Sequence, residues 1–238
     1  MDIGDAQSFL ASVALGIRYR SYSLEDKIGS ALDDILYTQG SFFNPEFFPS
    51  TIQTPLGGRA LINEETSNSL SLSASDIILE YNLPTTGAVD WLEKVIEAFN
   101  GQIIEGVMKK YDVHQISRVG IVRKYLFTIP ELAKNFLNHS IGKTIEGVND
   151  INLRFSKRYP MDEALIKKGV NDYINVIFNV IKIVDKDELF ISVDYQWYFL
   201  PPLEKISQLK FNQFIEKARH YNKESFPQWV VTNYGSNK

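Results

Sequence analysis

The chain has 238 residues, with 25 Lys plus Arg against 29 Asp plus Glu, for a formal net charge of −4. Apolar residues make up 44%, an ordinary globular fraction that supplies a core and excludes disorder as the main state. There is no cysteine, which excludes disulfides, thiolate metal sites and thiol catalysis, and three histidines (His114, His139, His220) leave little for a structural zinc site.

Residues 9–20 alternate. Phe9, Ala11, Val13, Leu15, Ile17 and Tyr19 share one face and Arg18 and Arg20 the other, which predicts a strand. Ser23 stands where an N-cap belongs, with Asp26 three residues on, and Leu24, Ile28, Ala31, Leu32, Ile35 and Leu36 follow at helical spacing to about residue 37. Residues 40–58 read as an irregular loop. It holds Pro45, Pro49 and Pro55 and four phenylalanines (Phe42, Phe43, Phe47, Phe48) that suit capping an open edge of the core. Residues 59–64 and 69–83 predict a hairpin. The second strand changes phase, which one extra residue near Ser75-Asp76 would repair, so a β-bulge is expected there. Residues 88–111 predict the longest helix, weakened by Gly101 and Gly106, where a neighbouring backbone is expected to come close.

Strands follow at 115–127, 150–159, 170–184 and 189–199, with a short helix from Pro130 to about 139 and a turn at Asp185-Lys186-Asp187. Pro201-Pro202 is expected to stop the last strand and start a closing helix to about 224. The order is β-α-β-β-α-β, then α-β-β-β-α. It predicts an α+β fold, a mostly antiparallel sheet with amphipathic helices, whose first half is ferredoxin-like in element order. The chain reads as a single domain, 1–238, or as two tightly packed halves, 1–128 and 129–238. No internal repeat stands out at the residue level.

The usual catalytic signatures are absent: no P-loop, no Gly-x-Gly-x-x-Gly turn and no Gly-x-Ser-x-Gly elbow. Gly57-Gly58-Arg59 fits a hairpin entry. Glu25, Asp26, Asp33 and Asp34 read as a solvated helix face, Asp194 as part of a solvated strand face with Ser192 and Gln196, and no histidine has a spacing that implies a base. No catalytic residue, metal site or cofactor is implied.

The charge is unevenly spread. Residues 1–112 carry 7 Lys/Arg and 16 Asp/Glu, a balance of −9, and residues 113–238 carry 18 and 13, a balance of +5. Such asymmetry points to a polyanion or to an oppositely charged partner. Arg118, Arg123 and Lys124 on one predicted strand, and Arg154, Lys157 and Arg158 beside Tyr159 on another, would make a basic and aromatic surface if the strands are neighbours, with Lys167-Lys168 in a turn nearby. Guarding strand edges is the alternative role for such charges. The acidic start, the lack of a long apolar run and the lack of cysteine argue against a signal peptide, a membrane helix and a lipid anchor, so a cytoplasmic protein is expected.

The strand Arg118-Val119-Gly120-Ile121, the strand Leu189-Phe190-Ile191-Ser192-Val193-Asp194-Tyr195 and an aromatic-rich closing stretch from Lys210 to Trp229 together resemble a sporadically distributed family of uncharacterised bacterial proteins of similar length. The chain departs from that family's pattern in having Val122-Arg123-Lys124-Tyr125 after the glycine strand, and Phe211 and Asn212 where a helix histidine is expected. The resemblance implies no established activity. The family's scattered distribution is similar to that of horizontally transferred defence or toxin–antitoxin genes. The leading expectation is a non-enzymatic binding or interaction protein, an accessory in a bacterial defence or regulatory system, with a protein partner or self-association. Nucleic-acid binding by the basic second half is the next, and an enzyme with an unrecognised carboxylate or arginine site the third. No membrane partner is expected.

Overall fold

The computed structural model describes residues 5–139, 150–160, 171–183 and 186–235. It is an α+β structure in which nine strands form a single antiparallel sheet: β1 (Leu10–Arg18), β2 (Ser50–Gln53), β3 (Arg59–Asn63), β4 (Asn68–Leu72), β5 (Asp76–Asn82), β6 (His114–Phe127), β7 (Asp150–Pro160), β8 (Tyr173–Ile183) and β9 (Leu189–Lys205). Their order across the sheet is β2-β3-β4-β5-β1-β6-β9-β8-β7. The helices are α1 (Tyr22–Glu25), α2 (Ile28–Tyr37), α3 (Val89–Ala98), α4 (Pro130–His139), α5 (Phe211–His220) and α6 (Phe226–Tyr234). Lys167-Lys168, Val170 and Asp185 lie outside the described residues. No helix among the described residues is long and apolar enough to cross a membrane.

Alternation sets which face of the sheet is covered. Val13, Leu15 and Ile17 of β1, Val119, Ile121, Tyr125 and Phe127 of β6, and Val193, Tyr195 and Trp197 of β9 are buried. The apolar stripes of the helices meet this face: Ala31, Leu32 and Ile35 from α2, Leu92 and Val95 from α3, and Phe214, Ile215 and Ala218 from α5. Away from the register shifts that turn Leu10 and Ile116 into the core, the even-numbered residues of the same strands make the other face.

The sheet is laid out twice over. One strand, then a helix, then an antiparallel meander, then a long helix is the plan of residues 10–108 and again of residues 114–234. The first strands of the two units, β1 and β6, pair antiparallel at the centre, with Gly16 directly opposite Gly120. Both long helices widen into π turns, Phe99–Met108 after α3 and Tyr221–Ser225 before α6.

Several sequence expectations are corrected. The first half has four strands between its helices rather than two, and β1 lies between two antiparallel neighbours, whereas a ferredoxin-like unit needs parallel crossovers. The expected bulge at Ser75-Asp76 is a tight turn between β4 and β5. The Ser73 N–H donates to the Asp76 carbonyl at 2.9 Å, and Ser73 Oγ accepts from the Ser75 and Asp76 N–H groups at 3.1 and 3.0 Å. The helix expected from residue 24 is broken at Asp26-Lys27, and Ser23, the expected N-cap, lies inside α1, whose cap position is Ser21. Pro201-Pro202 does not end β9, which continues to Lys205. Both prolines fall where β9 shifts register against β6, between the Tyr198 and Leu203 pairs, and a strand irregularity tolerates proline. The closing helix therefore starts at Phe211. No backbone crowds Gly101: a Cβ there would meet nothing within 4 Å, and one at Gly106 would meet only the Gly101 carbonyl. The 40–58 loop is part of the core, with Phe43 and Phe48 buried, Phe42 and Phe47 packed against them, and an edge strand, β2, within it.

Candidate functional site

The pairing registers place the side chains of the bare face in rows that cross the sheet. One row holds Asp76, Arg18, Arg118, Tyr198 and Tyr173. The next holds Ile78, Gly16, Gly120, Gln196, Asn175 and Arg158. Asp194 lies in the third, between Val122 and Ile177, and Lys124 and Arg154 share the fourth with Asn179.

Of the six basic residues singled out in sequence, Arg118, Lys124, Arg154 and Arg158 come together on this face. Arg123 and Lys157 point to the other. Parity decides this, because neighbouring residues of a strand face opposite ways. Lys157 Nζ sits 4.9 Å from the Tyr159 ring centroid on the edge strand β7. Arg123 lies under the helices, 5% exposed, with Nη1 donating to the Ala218 carbonyl at 3.5 Å, and burial holds its pKa below the ordinary arginine value. Above it, Arg219 bridges Glu93 of α3 and Glu216 of α5. No carboxylate lies within ion-pair distance of Arg123 among the described residues, so its charge costs the fold desolvation that its hydrogen bond offsets only in part. Arg123→Met is expected not to lower the thermal midpoint, a result that a melting curve of the variant checks directly.

The four bare-face cations have no carboxylate within 4 Å among the described residues. Two of them bracket an aromatic stack. Arg158 lies 4.4 Å from the Tyr173 ring centroid, Tyr173 and Tyr198 stack at 4.7 Å with planes 5° apart, and Arg118 lies 5.5 Å from the Tyr198 centroid. Arg118 Nη1 also donates to the Tyr198 hydroxyl at 3.1 Å, that hydroxyl donates to Gln196 Oε1 at 2.8 Å, and Gln196 Nε2 donates to Asp194 Oδ2. A chain of hydrogen bonds thus fixes Arg118, Tyr198, Gln196 and Asp194 as one unit.

At the centre, Gly16 and Gly120 leave the sheet without side chains, and a depression of about 130 Å³ opens over them. Packing does not force either glycine. A Cβ at Gly16 would meet nothing closer than 3.7 Å, and one at Gly120 nothing closer than Gln196 Cγ at 3.5 Å. Glycine inside a strand weakens it, and where no crowding explains it the residue marks a close approach by something else.

The two halves supply this depression in matching positions. By register Gly16 corresponds to Gly120, Asp76 to Asp194, and Ile78 to Gln196. The two aspartates have diverged. Asp76 is held by Ser73 Oγ at 2.9 Å, Ser75 Oγ at 3.2 Å and Arg18 at 3.7 Å. Among the described residues Asp194 receives Gln196 alone, and its Oδ1 hangs 3.8 Å from where a Gly120 Cβ would stand. Burial pushes the Asp194 carboxyl up to about 6, against the pull of Arg118, the Gln196 hydrogen bond and Arg154.

A carboxyl whose folded pKa lies above its unfolded one stabilises the fold below the unfolded pKa and loses that contribution as pH rises through the folded value. Asp194→Asn is therefore expected to be more stable than the parent at pH 8, by about 1–3 kcal/mol, and equal to it near pH 4. Denaturant melts at the two pH values measure this, and an equal offset at both would remove it.

Sequence reasoning singled out Arg118, Lys124, Arg154 and Arg158 but passed over Gly16, Arg18, Asp76 and Gln196. A signal existed. Leu15-Gly16-Ile17 in β1 repeats as Val119-Gly120-Ile121 in β6, and an aspartate stands near the start of β5 and within β9. No family model matches the chain, and no curated protein matches it significantly in sequence.

Proposed function

We propose that this chain is a binding protein of the cytoplasm that holds single-stranded nucleic acid on the bare face of its sheet, across β6, β9, β8 and β7. The observation that carries the reading is the set of four cations, Arg118, Lys124, Arg154 and Arg158, which share one face and have no carboxylate partner within 4 Å among the described residues. Unpaired cations on a rigid surface neutralise phosphates and release their counterions. The cations are interleaved with Asn152, Asn175, Asn179 and Gln196, which can both donate to and accept from base edges, and with the exposed ring of Phe190. Arg154 and Lys124 stand three strands apart in one row, about 14 Å, and Arg154 and Arg158 about the same distance along β7, a footprint of a few nucleotides. The chain's acidic total is no obstacle, because its negative balance is concentrated in the first half.

A fluorescence anisotropy titration with a labelled 10-nucleotide RNA or DNA strand at low salt tests the reading. Saturable binding at micromolar protein, weakening steeply with salt, is the expected result, and no change in anisotropy at tens of micromolar ends it.

A protein partner is the second reading. Leu126, Phe190 and Ile181 form an apolar row at one end of the same face, with Phe190 41% exposed. That reading calls for association that persists at high salt. With either ligand, the resemblance to the scattered bacterial family supports an accessory role in a defence or regulatory system.

A further inference from the structure

We propose that the depression over Gly16 and Gly120 is a subsite for one guanine base, with the Asp194 carboxylate accepting from the base's ring N–H and exocyclic amino group and the Arg18–Arg118 pair holding the adjoining phosphate. The inference rests on the nucleic-acid reading above and adds to it which base is read, and where.

Three features of the depression define what fits it. Its floor is bare backbone between two glycines, walled by the small apolar surfaces of Ala14, Ile78 and Val122, which suits one flat ring lying against the sheet. Its volume of about 130 Å³ has room for one ring system and not for a side-chain cluster or a helix. At one end stand Arg18 and Arg118, directly opposite each other across β1 and β6. Like charges in that position repel, and Asp76, 3.7 Å from Arg18, offsets only one of them. An anion between them relieves the repulsion.

The other end asks for the opposite. Asp194 offers an acceptor, Oδ1, that no described residue uses, turned over the glycine floor. A cationic ligand would suit a carboxylate alone, but Arg118 and Arg154 already set a positive field on this one. The ligand must therefore be anionic overall and still present neutral N–H donors at the right distance. A nucleotide does this. One row of the sheet, the glycine row, lies between the Arg18–Arg118 row and the Asp194 row, and the Asp194 carboxyl leans over it, so a base on the glycine floor meets the acid while its phosphate lies by the arginines.

Among the common bases, guanine alone places two adjacent N–H donors on its pairing edge. Adenine and cytosine place a donor beside an acceptor, and uracil places one donor between two acceptors. A carboxylate is an acceptor only, so it pairs with guanine and faces at least one lone pair on each of the others. Gln196, held by Tyr198 and donating to Asp194 Oδ2, fixes the carboxylate in plane.

The experiment is an anisotropy competition with three labelled RNA 10-mers at pH 8: all-uridine, the same strand with one central guanosine, and the same strand with inosine in its place, which lacks the exocyclic amino group. One guanosine is expected to raise affinity about 10-fold or more over both. Asp194→Asn should abolish the preference while leaving the all-uridine strand bound as tightly or more so, because a negative charge leaves the face. Gly16→Val, which fills the floor beside Ile78 and away from the Asp194 carboxyl, should abolish the preference too. Melting curves of both variants show that they are folded.

Acidification supplies a second readout. Lowering the pH from 8 to 5 neutralises the Asp194 acceptor, so the guanosine preference should shrink while all-uridine affinity does not fall. The charged groups that face Asp194 are Arg118 and Lys124 on β6, Arg154 on β7, and Arg18 with Asp76 across the floor. The effect should persist in Asp76→Asn and vanish in Asp194→Asn. Equal affinity for the guanosine, inosine and uridine strands overturns the guanine subsite and leaves the nucleic-acid reading standing. A preference for guanosine unchanged in Asp194→Asn overturns the placement at Asp194. Failure of every strand to bind overturns both.

Discussion

Replacing Arg154 and Arg158 together by Glu should weaken binding of a single-stranded oligonucleotide by about 100-fold at about 0.1 M salt and flatten its salt dependence. Each phosphate neutralised on a single strand contributes about −0.7 to the slope of log affinity against log salt, so four cations predict a slope of about −3, and the double variant about −1.5. Both arginines lie exposed on the bare face of β7, and neither has a carboxylate partner within 4 Å among the described residues. Among the described residues their loss costs the fold the contact of Arg158 with Tyr173, about 0.5–1 kcal/mol, and the pull of Arg154 on the Asp194 carboxyl. Charge reversal separates the two roles such residues could have. A charge that guards an edge strand against aggregation works with either sign, whereas a phosphate contact needs a positive one. A double variant that stays monomeric but loses binding assigns the arginines to the ligand. One that binds with the parent's affinity and slope moves the nucleic-acid surface off β7. Lys157→Glu, on the same strand but turned to the helices, provides the matched comparison and should change affinity far less.

How much of this was legible in the sequence follows from what each signal depends on. The opening strand and the strands 115–127 and 189–199 were readable because period-two alternation reports a face, and Val13, Ile17, Val193 and Trp197 are all buried as that parity requires. The amphipathic helices were readable for the same reason. What failed was punctuation. Ser73-Ala74-Ser75 turns the chain without glycine or asparagine, through the Ser73 hydroxyl, so a hairpin looked like a bulge: both shift the phase by one. β2 carries no buried residue and lies between prolines, so neither periodicity nor composition announces it. Pro201-Pro202 sits inside a strand because that strand shifts register against β6 there, a fact of the sheet and not of the chain.

The site was half legible. Parity alone could have put Arg118, Lys124, Arg154 and Arg158 on one face and Arg123 and Lys157 on the other, since it is the same rule that sorted the core. Sequence could not show that β6 and β7 are separated by β9 and β8, which spaces the cations. Nor could it show that Asp194 is a half-buried acid on an otherwise polar face, because its burial comes from neighbours on other strands. The two-fold layout was hidden because few corresponding positions match, Gly16 with Gly120, Ile17 with Ile121 and Asp76 with Asp194, while Ile78 and Gln196 have nothing in common but their place.

Phe43→Ala should lower the stability of the whole fold by about 3–5 kcal/mol, which for a chain of this size is a fall of about 10 °C or more in the thermal midpoint. The loop from 40 to 58 invites a different expectation, that its phenylalanines are a docking surface, and the two make opposite forecasts. Phe43 is fully buried, edge-on to Phe42 at 5.3 Å and 89° and to Phe47 at 5.5 Å and 76°, with Phe48 tilted against it at 5.9 Å. Phe47 in turn stacks on Tyr81 of β5, which carries the cluster onto the sheet. The backbone is pinned as well. The Phe43 N–H and the Ser41 hydroxyl both donate to Gln102 Oε1, at 3.3 and 2.8 Å, and Gln102 belongs to the π turns after α3. The loop therefore closes the gap between α2, the π segment and the sheet, and removing one ring leaves a cavity that three neighbouring rings cannot fill without leaving their edge-to-face contacts. Phe42→Ala, at a ring only partly covered, should cost less. Urea melts of the two variants measure the difference, and a Phe43→Ala midpoint indistinguishable from the parent's would return the loop to the surface and leave its phenylalanines free for a partner.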